Sequence, residues 1–263
     1  MPSKQPKFIS IVVPSYKQER SIVGNLKRLH AALLETNYEY EIIVVIDGKV
    51  DATFEKLKQA SLPNTVVLSY EKNRGKSYAI RLGMEKARGE HVMFVDAGNE
   101  IDLEGMQMLF LHLQWYEADI IVGSKRHMAS IVNYTWERKI LSWGYYMLVK
   151  VLFGIRIRDT QAGIKVFRKE VLEAILPRLI EKRFAGDLEM LVVAQKMGFK
   201  RIFEAPIKLN YEFTEVSSAA TLYSIFRIFL DTLAIFYRSR ILQYYDSVHT
   251  RTRDPEDLKL IRL

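Results

Sequence analysis

Residues 90–102, EHVMFVDAGNEID, decide the fold that we expect for this chain of 263 residues. The apolar run 91–95 has the length of a strand and no polar alternation, which is typical of a strand buried on both faces of a parallel sheet. Asp96 follows that strand directly, and Glu100 and Asp102 come close behind. Such carboxylates suit a hard divalent cation that bridges a diphosphate. The alternative is that Asp96 opens a turn and that the two later acids cap the next helix.

Upstream of this stretch, the chain alternates between apolar strands and segments with helical spacing. Three more buried strands are predicted at residues 8–13, 41–46 and 65–69, and a helix follows each of them. The order β-α-β-α-β-α-β predicts an α/β fold with a Rossmann-like, mostly parallel sheet and right-handed crossovers. Further strands are predicted at residues 119–122, 163–167 and 199–207.

Polar residues follow these predicted strands where each one ends. Pro14-Ser15-Tyr16 follows the first strand, Asp47-Gly48 the second and Asp96 the fourth. Open parallel sheets bind their ligands at the carboxyl ends of the strands. We therefore expect these residues to line one site.

The segment 73–76, NRGK, opens the third predicted helix. Gly75 permits a ligand to approach the backbone closely, and a helix N-terminus offers free N–H groups and a positive dipole end to an anion. A phosphate-binding site is therefore expected here. The letters GKS at 75–77 also end a P-loop motif, but Tyr70 stands where that motif needs a glycine, which excludes a P-loop.

The composition restricts the class of partner. Cysteine is absent, so disulfides and thiolate metal sites are excluded, and the N-terminus lacks the apolar core of a signal peptide, which favours the cytoplasm. The net charge of +8 favours anionic partners. Because the chain has no zinc-finger spacing and no RNP-like aromatic strand, nucleic acid is not expected. Phosphorylated substrates and a membrane surface remain.

The C-terminal segment 219–245 has the pattern of an amphipathic helix with a wide apolar arc. Arg227 and Asp231 interrupt that arc, so the uncharged run is too short for a spanning helix. Two alternatives stay open: the helix packs on the domain's own sheet, or it lies in a membrane interface with basic residues at the headgroups. Those residues are Arg238, Arg240, Arg251 and Arg253. The predicted division is a catalytic domain at 1–214 and a membrane-associating helical segment at 215–263.

Five separated blocks of the sequence resemble family 2 glycosyltransferases of the GT-A fold. They are most similar to the polyprenyl-phosphate sugar synthases, in the branch of the dolichyl-phosphate glucose and mannose synthases. The blocks are VVPSYKQE (12–19), VVIDGKVDAT (44–53), NRGKSYAIRLGMEKARGEHVMFVDAG (73–98), VGSKR (122–126) and RDTQAGIKVFRKEVL (158–172).

The resemblance implies a donor site for a nucleoside diphosphate sugar. It assigns Asp47 to the base, Lys76 to the diphosphate, and Asp96 to the first acid of the family's D-x-D metal motif. The third position of that motif is Gly98 here, so we assign Mg²⁺ or Mn²⁺ to Asp96 and Glu100. The full donor set is Pro14, Ser15, Tyr16, Glu19, Asp47, Gly48, Gly75, Lys76, Asp96 and Ala97.

The resemblance also implies residues for the acceptor and for catalysis. Lys125 stands where relatives carry a phosphate-binding arginine, and Arg126 follows it. Arg138 and Ser142 have the spacing of a pair that holds the acceptor phosphate, and a solvated surface pair is the alternative. Asp159 matches an acid near the reaction centre, or caps a turn. The predicted catalytic set is Asp159, Arg138, Lys125 and Arg126, and the acceptor set is Arg138, Ser142 and Gln161.

The expected activity is transfer of a sugar, with inversion, from a UDP- or GDP-sugar to a polyprenyl phosphate. The protein would be peripheral, on the cytoplasmic face of a membrane. One alternative is a family 2 enzyme that glycosylates a hydroxyl of a soluble acceptor, for which Asp159 or Asp187 would be an indispensable base. Another alternative is a non-catalytic membrane-binding module. The sequence names neither the sugar nor the nucleotide base.

Overall fold

The structure is a computed structural model that describes residues 8–96, 106–124, 127, 136–182, 185–207, 218–248 and 254–263. At 136–139 and 218–225 it describes the backbone only.

The described residues form eight strands and eight α-helices that alternate along most of the chain. The strands are β1 (Phe8–Ser15), β2 (Glu39–Asp47), β3 (Thr65–Tyr70), β4 (His91–Val95), β5 (Ile120–Ser124), β6 (Ile164–Arg168), β7 (Ile202–Pro206) and β8 (Lys259–Arg262). The helices are α1 (Ile22–Leu34), α2 (Thr53–Ala60), α3 (Lys76–Lys86), α4 (Met106–Trp115), α5 (Trp136–Phe153), α6 (Lys169–Ile175), α7 (Gly186–Lys196) and α8 (Ser218–Phe236). A π-helical turn, Tyr237–Ile241, continues α8.

All eight strands belong to one sheet with the order β7-β5-β6-β4-β1-β2-β3-β8. Strands β4, β1, β2 and β3 are parallel, β5 and β7 are parallel to each other, and β6 is antiparallel to both β4 and β5. The prediction of an α/β fold with a mostly parallel sheet is confirmed. The carboxyl ends of β1, β2 and β4 lie side by side, and we call this the strand edge.

Helices cover both faces of the sheet, so consecutive strand residues are buried in two separate cores. In β1, Val12 belongs to one core, while Ile11 and Val13 belong to the other. This two-sided burial explains the continuous apolar runs in the sequence. Helix α3 packs closely on the sheet, because a Cβ added at Gly83 would lie 2.4 Å from Cγ1 of Val12. That close packing fixes the start of α3 beside the strand edge.

The C-terminal residues return to the sheet. Strand β8 pairs antiparallel with β3, with Ile261 opposite Val67. The sequence analysis predicted a helical segment at 215–263 and no strand in it. The sheet therefore extends past the predicted boundary at residue 214.

Helix α8 packs on α5, and the choice between the two alternatives for the C-terminal helix stays a prediction. The hydroxyl groups of Tyr145 and Thr232 lie 3.2 Å apart, and the rings of Phe153 and Phe236 meet edge to face. Among the described helices, none combines the length and apolar character that crossing a membrane requires.

Candidate active site

Asp96 and Lys76 meet at the strand edge. Asp96 follows β4, and its backbone N–H donates to the carbonyl of Gly163 at 2.9 Å. The Lys76 ammonium, at the first position of α3, lies 2.8 and 2.9 Å from the two carboxylate oxygens of Asp96. A Cβ added at Gly163 would lie 2.3 Å from Asp96 Oδ2, so a side chain there would displace this carboxylate. The structure brings together the two residues that the sequence assigns to the cation and the diphosphate.

A second, buried ion pair continues from this contact. Asp187, in the first turn of α7, lies 3.8 Å from the Lys76 ammonium and 2.6 Å from the ammonium of Lys165. Lys165 has no exposed surface and also donates to the carbonyl of Ala162 at 2.7 Å. Burial lowers the pKa of Lys165, and the neighbouring Asp187 carboxylate opposes that change. Charges of alternating sign therefore run from Asp96 through Lys76 and Asp187 to Lys165.

The sequence analysis missed this second pair. It named Asp187 only as the base of an alternative reaction and gave Lys165 no binding role. A signal was present, because Lys165 interrupts the apolar strand IKVF, and a lysine is almost never fully buried unless it is paired. Separating Asp187 from Lys165 would leave an uncompensated charge in the protein interior, which is costly. The pair therefore keeps Asp187 in place beside Lys76.

Asp47 ties the turn 70–75 to the end of β2. Its carboxylate accepts hydrogen bonds from the Tyr70 hydroxyl at 2.8 Å, the Asn73 amide at 3.0 Å, and the backbone N–H groups of Arg74 at 2.7 Å and Gly75 at 2.9 Å. Only 3% of Asp47 is exposed. These bonds give Asp47 a structural role that the sequence analysis did not foresee. Its contact with a nucleotide base stays a prediction.

Two glycines shape the same turn. Gly48 and Gly75 have φ of 91° and 102°, a region that other residues rarely adopt. A Cβ at Gly48 would also lie 2.8 Å from the backbone nitrogen of Asn73. The turn is therefore held close to β2.

The expectation of free N–H groups at the start of α3 is wrong for two of them. The backbone N–H groups of Ser77 and Tyr78 donate to the carbonyl of Lys182, at 3.1 and 3.3 Å. The first turns of α3 and α7 lie close together here, since a Cβ at Gly186 would lie 2.4 Å from the Ser77 hydroxyl oxygen. The side chain of Lys76, rather than these two amides, is the cationic group that the structure directs toward Asp96.

The loop after β1 forms hydrogen bonds with the loop after β2 and carries polar groups at the strand edge. Glu19 accepts from the N–H of Ala52 at 3.0 Å, and its own N–H donates to Asp51 at 3.1 Å, which joins the loops after β1 and β2. Ser15 is buried, and its hydroxyl has no hydrogen-bond partner among the described residues. Tyr16 is 43% exposed. Both residues lie at the carboxyl end of β1, and their contact with a nucleoside stays a prediction.

The loop 158–163 is held against α5. The Gln161 amide donates to the Tyr145 hydroxyl at 3.3 Å. The N–H groups of Arg158 and Asp159 donate to Glu204 on β7, at 2.9 and 3.1 Å. Ser142 is half-buried on α5, three residues before Tyr145. The structure thus places Gln161 and Asp159 in one loop beside the helix that carries Ser142.

The remaining predicted site residues, and with them most of the metal motif, lie outside the described residues. They are Ala97, Gly98, Glu100, Asp102, Lys125, Arg126 and the side chain of Arg138. Within the described part of the chain, no group of three potential metal ligands occurs. One carboxylate is still compatible with Mg²⁺, which takes most of its ligands from substrate and water. Asp96, 39% exposed at the end of β4, fits that requirement.

Comparisons with curated proteins identify relatives of one activity. The human dolichyl-phosphate beta-glucosyltransferase is 32% identical over 253 residues, which cover 90% of this chain and 76% of the human protein. The Drosophila melanogaster enzyme of the same name is 33% identical over 72% of this chain and 63% of its own length. The Saccharomyces cerevisiae enzyme is 29% identical over 76% and 66%. The chain spans about two thirds to three quarters of the length of these relatives.

Solved structures share the fold. Glucosyl-3-phosphoglycerate synthase from Mycobacterium tuberculosis, in complex with Mn²⁺, UDP-glucose and phosphoglyceric acid, superposes with a TM-score of 0.66 and 15% identity. The match covers 88% of this chain and 80% of that protein. Mannosyl-3-phosphoglycerate synthase from Rubrobacter xylanophilus gives 0.65 and 15%, over 97% of this chain and 83% of that one. Both neighbours are GT-A glycosyltransferases, and the likeness confirms the predicted fold.

The sequence model described as glycosyl transferase family 2 matches residues 10–176. That range runs from β1 to the end of α6 and includes all three strands whose carboxyl ends form the strand edge. On this match and on the relatives above, the chain belongs to glycosyl transferase family 2.

Proposed function

We propose that the protein transfers glucose from UDP-glucose to a polyprenyl phosphate of the dolichyl type, with inversion at the anomeric carbon. The observation that carries this proposal is the 32% identity to human dolichyl-phosphate beta-glucosyltransferase over 90% of the chain. The contact between Lys76 and Asp96 at the strand edge supports it, because the departing UDP carries negative charge that a fixed cation stabilises.

Lys76 is the side chain proposed to bind the leaving diphosphate. Asp96 on one side and Asp187 on the other hold its ammonium at the strand edge, so it needs little rearrangement when charge develops. Asp96 and Glu100 are the residues that would hold Mg²⁺ or Mn²⁺, as carboxylates suit both ions. When bound, the metal ion would neutralise the departing diphosphate. The neighbouring synthase was solved with Mn²⁺ and UDP-glucose, which supports a divalent cation here.

The phosphate acceptor needs little chemical activation. A phosphate oxygen of the lipid is already anionic at neutral pH, so a strong general base is not required, and the protein supplies positioning and charge stabilisation. Arg138, Ser142 and Gln161 are proposed to hold that phosphate, and Lys125 and Arg126 to offset the repulsion between two anionic reactants. Asp159 is proposed to orient the acceptor. Its backbone bond to Glu204 fixes the start of that loop.

The lipid tail needs an apolar surface, and α5 and α8 present one. On α8 the large exposed side chains recur at helical spacing, and further ones lie on α5 and in the turns after α8. These residues, which we call the apolar face, are Ile140, Leu141, Trp143, Val151, Phe226, Phe229, Leu230, Leu233, Tyr237, Ile241 and Leu242. Interfacial helices bind membranes with such a face. We propose peripheral binding to the cytoplasmic side of a membrane through this face.

One expectation about this surface is wrong. Arg238 does not reach headgroups: its guanidinium pairs with Glu181 and lies 3.6 Å from Glu189, and only 17% of its side chain is exposed. Arg238 therefore fastens the end of α8 to the segment before α7.

A panel of donors and acceptors tests the proposal. Purified protein in vesicles would receive radiolabelled UDP-glucose, UDP-galactose or GDP-mannose, with dolichyl phosphate, undecaprenyl phosphate or a soluble glycan. We expect a lipid-linked product from UDP-glucose that requires Mg²⁺ or Mn²⁺. Transfer to the soluble glycan alone would support the hydroxyl-acceptor alternative. Absence of both transfer and metal-dependent nucleotide binding would support the non-catalytic alternative.

A further inference from the structure

A cavity lies between the ends of α5 and α7 and the π-helical turn after α8. Its volume is about 220 Å³. The cationic residues Lys196, Lys200 and Arg240 line it together with polar and apolar groups from Gln195, Ser239 and Phe153. We call this cavity the basic pocket.

Its charge is only partly compensated. The Lys196 ammonium lies 2.8 Å from Asp246 and donates to the carbonyl of Ser239 at 2.9 Å. Lys200 and Arg240 are exposed, and neither forms an ion pair with a carboxylate in the part of the chain that the structure describes. Three cations thus converge with one carboxylate, which favours an anionic ligand.

Exposed apolar side chains flank the Arg240 side of the basic pocket along the chain. Arg240 lies between Tyr237 and Ile241, which are 52% and 62% exposed. Cations at the rim of an apolar helical surface are the arrangement by which proteins bind anionic membranes. A soluble phosphate compound would require no such apolar rim.

The basic pocket is also separate from the acceptor site. Ser142, proposed to hold the acceptor phosphate, precedes Phe153 by 11 residues on α5. At a rise of 1.5 Å per residue, the two positions are about 16 Å apart along the helix. One phosphate group cannot occupy both.

We propose that the basic pocket binds the phosphate headgroup of an anionic phospholipid that is not the substrate, and so orients the protein on the membrane. This inference rests on the proposed membrane association. Lys200 and Arg240 supply the uncompensated charge, and Lys196 keeps the turn at Ser239 in place.

Vesicle sedimentation tests the proposal with the full chain. Each basic residue contributes about 1 kcal/mol at an anionic surface, so the variant K200Q/R240Q should bind phosphatidylcholine/phosphatidylglycerol vesicles roughly 30-fold more weakly than wild type. Its binding to phosphatidylcholine alone should be unchanged. The matched control K56Q/K58Q removes two exposed charges from α2 and should stay within about twofold of wild type. Equal losses in the two variants, or no loss in K200Q/R240Q, would overturn the proposal.

A gain of binding gives an independent test. The variant D246N frees Lys196 from its carboxylate and should strengthen binding to the anionic vesicles by about fivefold. Unchanged or weaker binding by folded D246N counts against the pocket. Calorimetry with inorganic phosphate separates the ligand sources: phosphate binding that K200Q/R240Q abolishes, while vesicle binding persists, would refute the lipid assignment. Glucosyl transfer to detergent-dispersed dolichyl phosphate should be normal in all these variants, so failure of this inference is distinct from failure of the proposed function.

Discussion

The strand edge and the apolar face differ in how their side chains are satisfied. At the strand edge, Asp47 accepts hydrogen bonds from four residues of one turn, and Asp187 lies between two lysines. On the apolar face, large side chains such as Trp143 and Phe226 are about 60% exposed. The acids of the first region are satisfied within the chain, whereas the second region exposes large apolar side chains of the kind that mark interaction surfaces.

From this difference we infer separate roles for the strand edge and the apolar face. Charges that are fixed before the reaction stabilise developing charge without rearrangement. An uncovered apolar surface instead gains free energy when it leaves water, which is the driving force for membrane binding. Variants of the strand edge should therefore alter stability and turnover, and variants of the apolar face should alter membrane binding alone.

The largest effect is expected for D187N, which leaves the fully buried Lys165 ammonium without its counter-ion. We expect a loss of about 3–5 kcal/mol in the free energy of unfolding, measured by urea denaturation. The control E170Q removes an exposed carboxylate 3.5 Å from Arg168 and should cost less than about 1 kcal/mol.

The double variant K165M/D187L sharpens the same test. Replacing a buried ion pair with apolar residues is often neutral for stability, so most of the loss should be recovered. Donor turnover should not recover, because Lys76 still lacks Asp187. If the double variant transfers sugar at the wild-type rate, Asp187 has no part in holding Lys76.

The next effect is expected for K76Q, which removes the ammonium bound to Asp96. Loss of one preorganised group that stabilises charge should lower kcat by about 10²–10³-fold, measured as the rate of lipid-linked product. The control K72Q, an exposed lysine in the preceding turn, should retain nearly full activity. Similar rates for the two variants would remove Lys76 from the donor site.

A smaller effect is expected at Glu189, which links α7 to the C-terminal turns through the Tyr245 hydroxyl at 2.8 Å. Burial raises the pKa of Glu189 to about 7, above its ordinary value of 4.5. Because the folded state then holds a proton that the unfolded state has lost, its contribution is complete below pH 4.5 and is lost as the pH rises to 7.

The variant E189Q should therefore remove a pH-dependent part of the unfolding free energy, on the order of 1–3 kcal/mol between pH 4.5 and 7. Urea titrations at several pH values measure it, with E173Q, an exposed acid on α6, as the control. A pH dependence in E189Q identical to that of wild type would contradict the assignment.

The smallest effect is expected for L230Q on the apolar face, where Leu230 is 47% exposed. Partial loss of one apolar contact should weaken vesicle binding by about 1 kcal/mol and leave the unfolding free energy nearly unchanged. The control L34Q changes a leucine on α1 that is 74% exposed and should bind vesicles like wild type. Equal weakening in both variants would show that α8 has no special role in docking.

The parallel half of the fold was predictable because β1, β2 and β4 are apolar on both faces, a pattern with few other solutions. The antiparallel direction of β6 and the pairing of β8 with β3 were not, since they depend on contacts distant in sequence. Similarly, Asp96 was visible as an acid after a strand. The role of Asp47 was not, because its partners lie 23 to 28 residues away in a turn whose shape the sequence does not state.

The most direct test of the central claim is the structure of the product formed from UDP-glucose and dolichyl phosphate in vesicles, determined by mass spectrometry and NMR. The account predicts glucose joined to the lipid through a phosphodiester with the β configuration, formed by wild type and greatly reduced in K76Q. Glucose on a hydroxyl acceptor, or an α-linked lipid product, would contradict it.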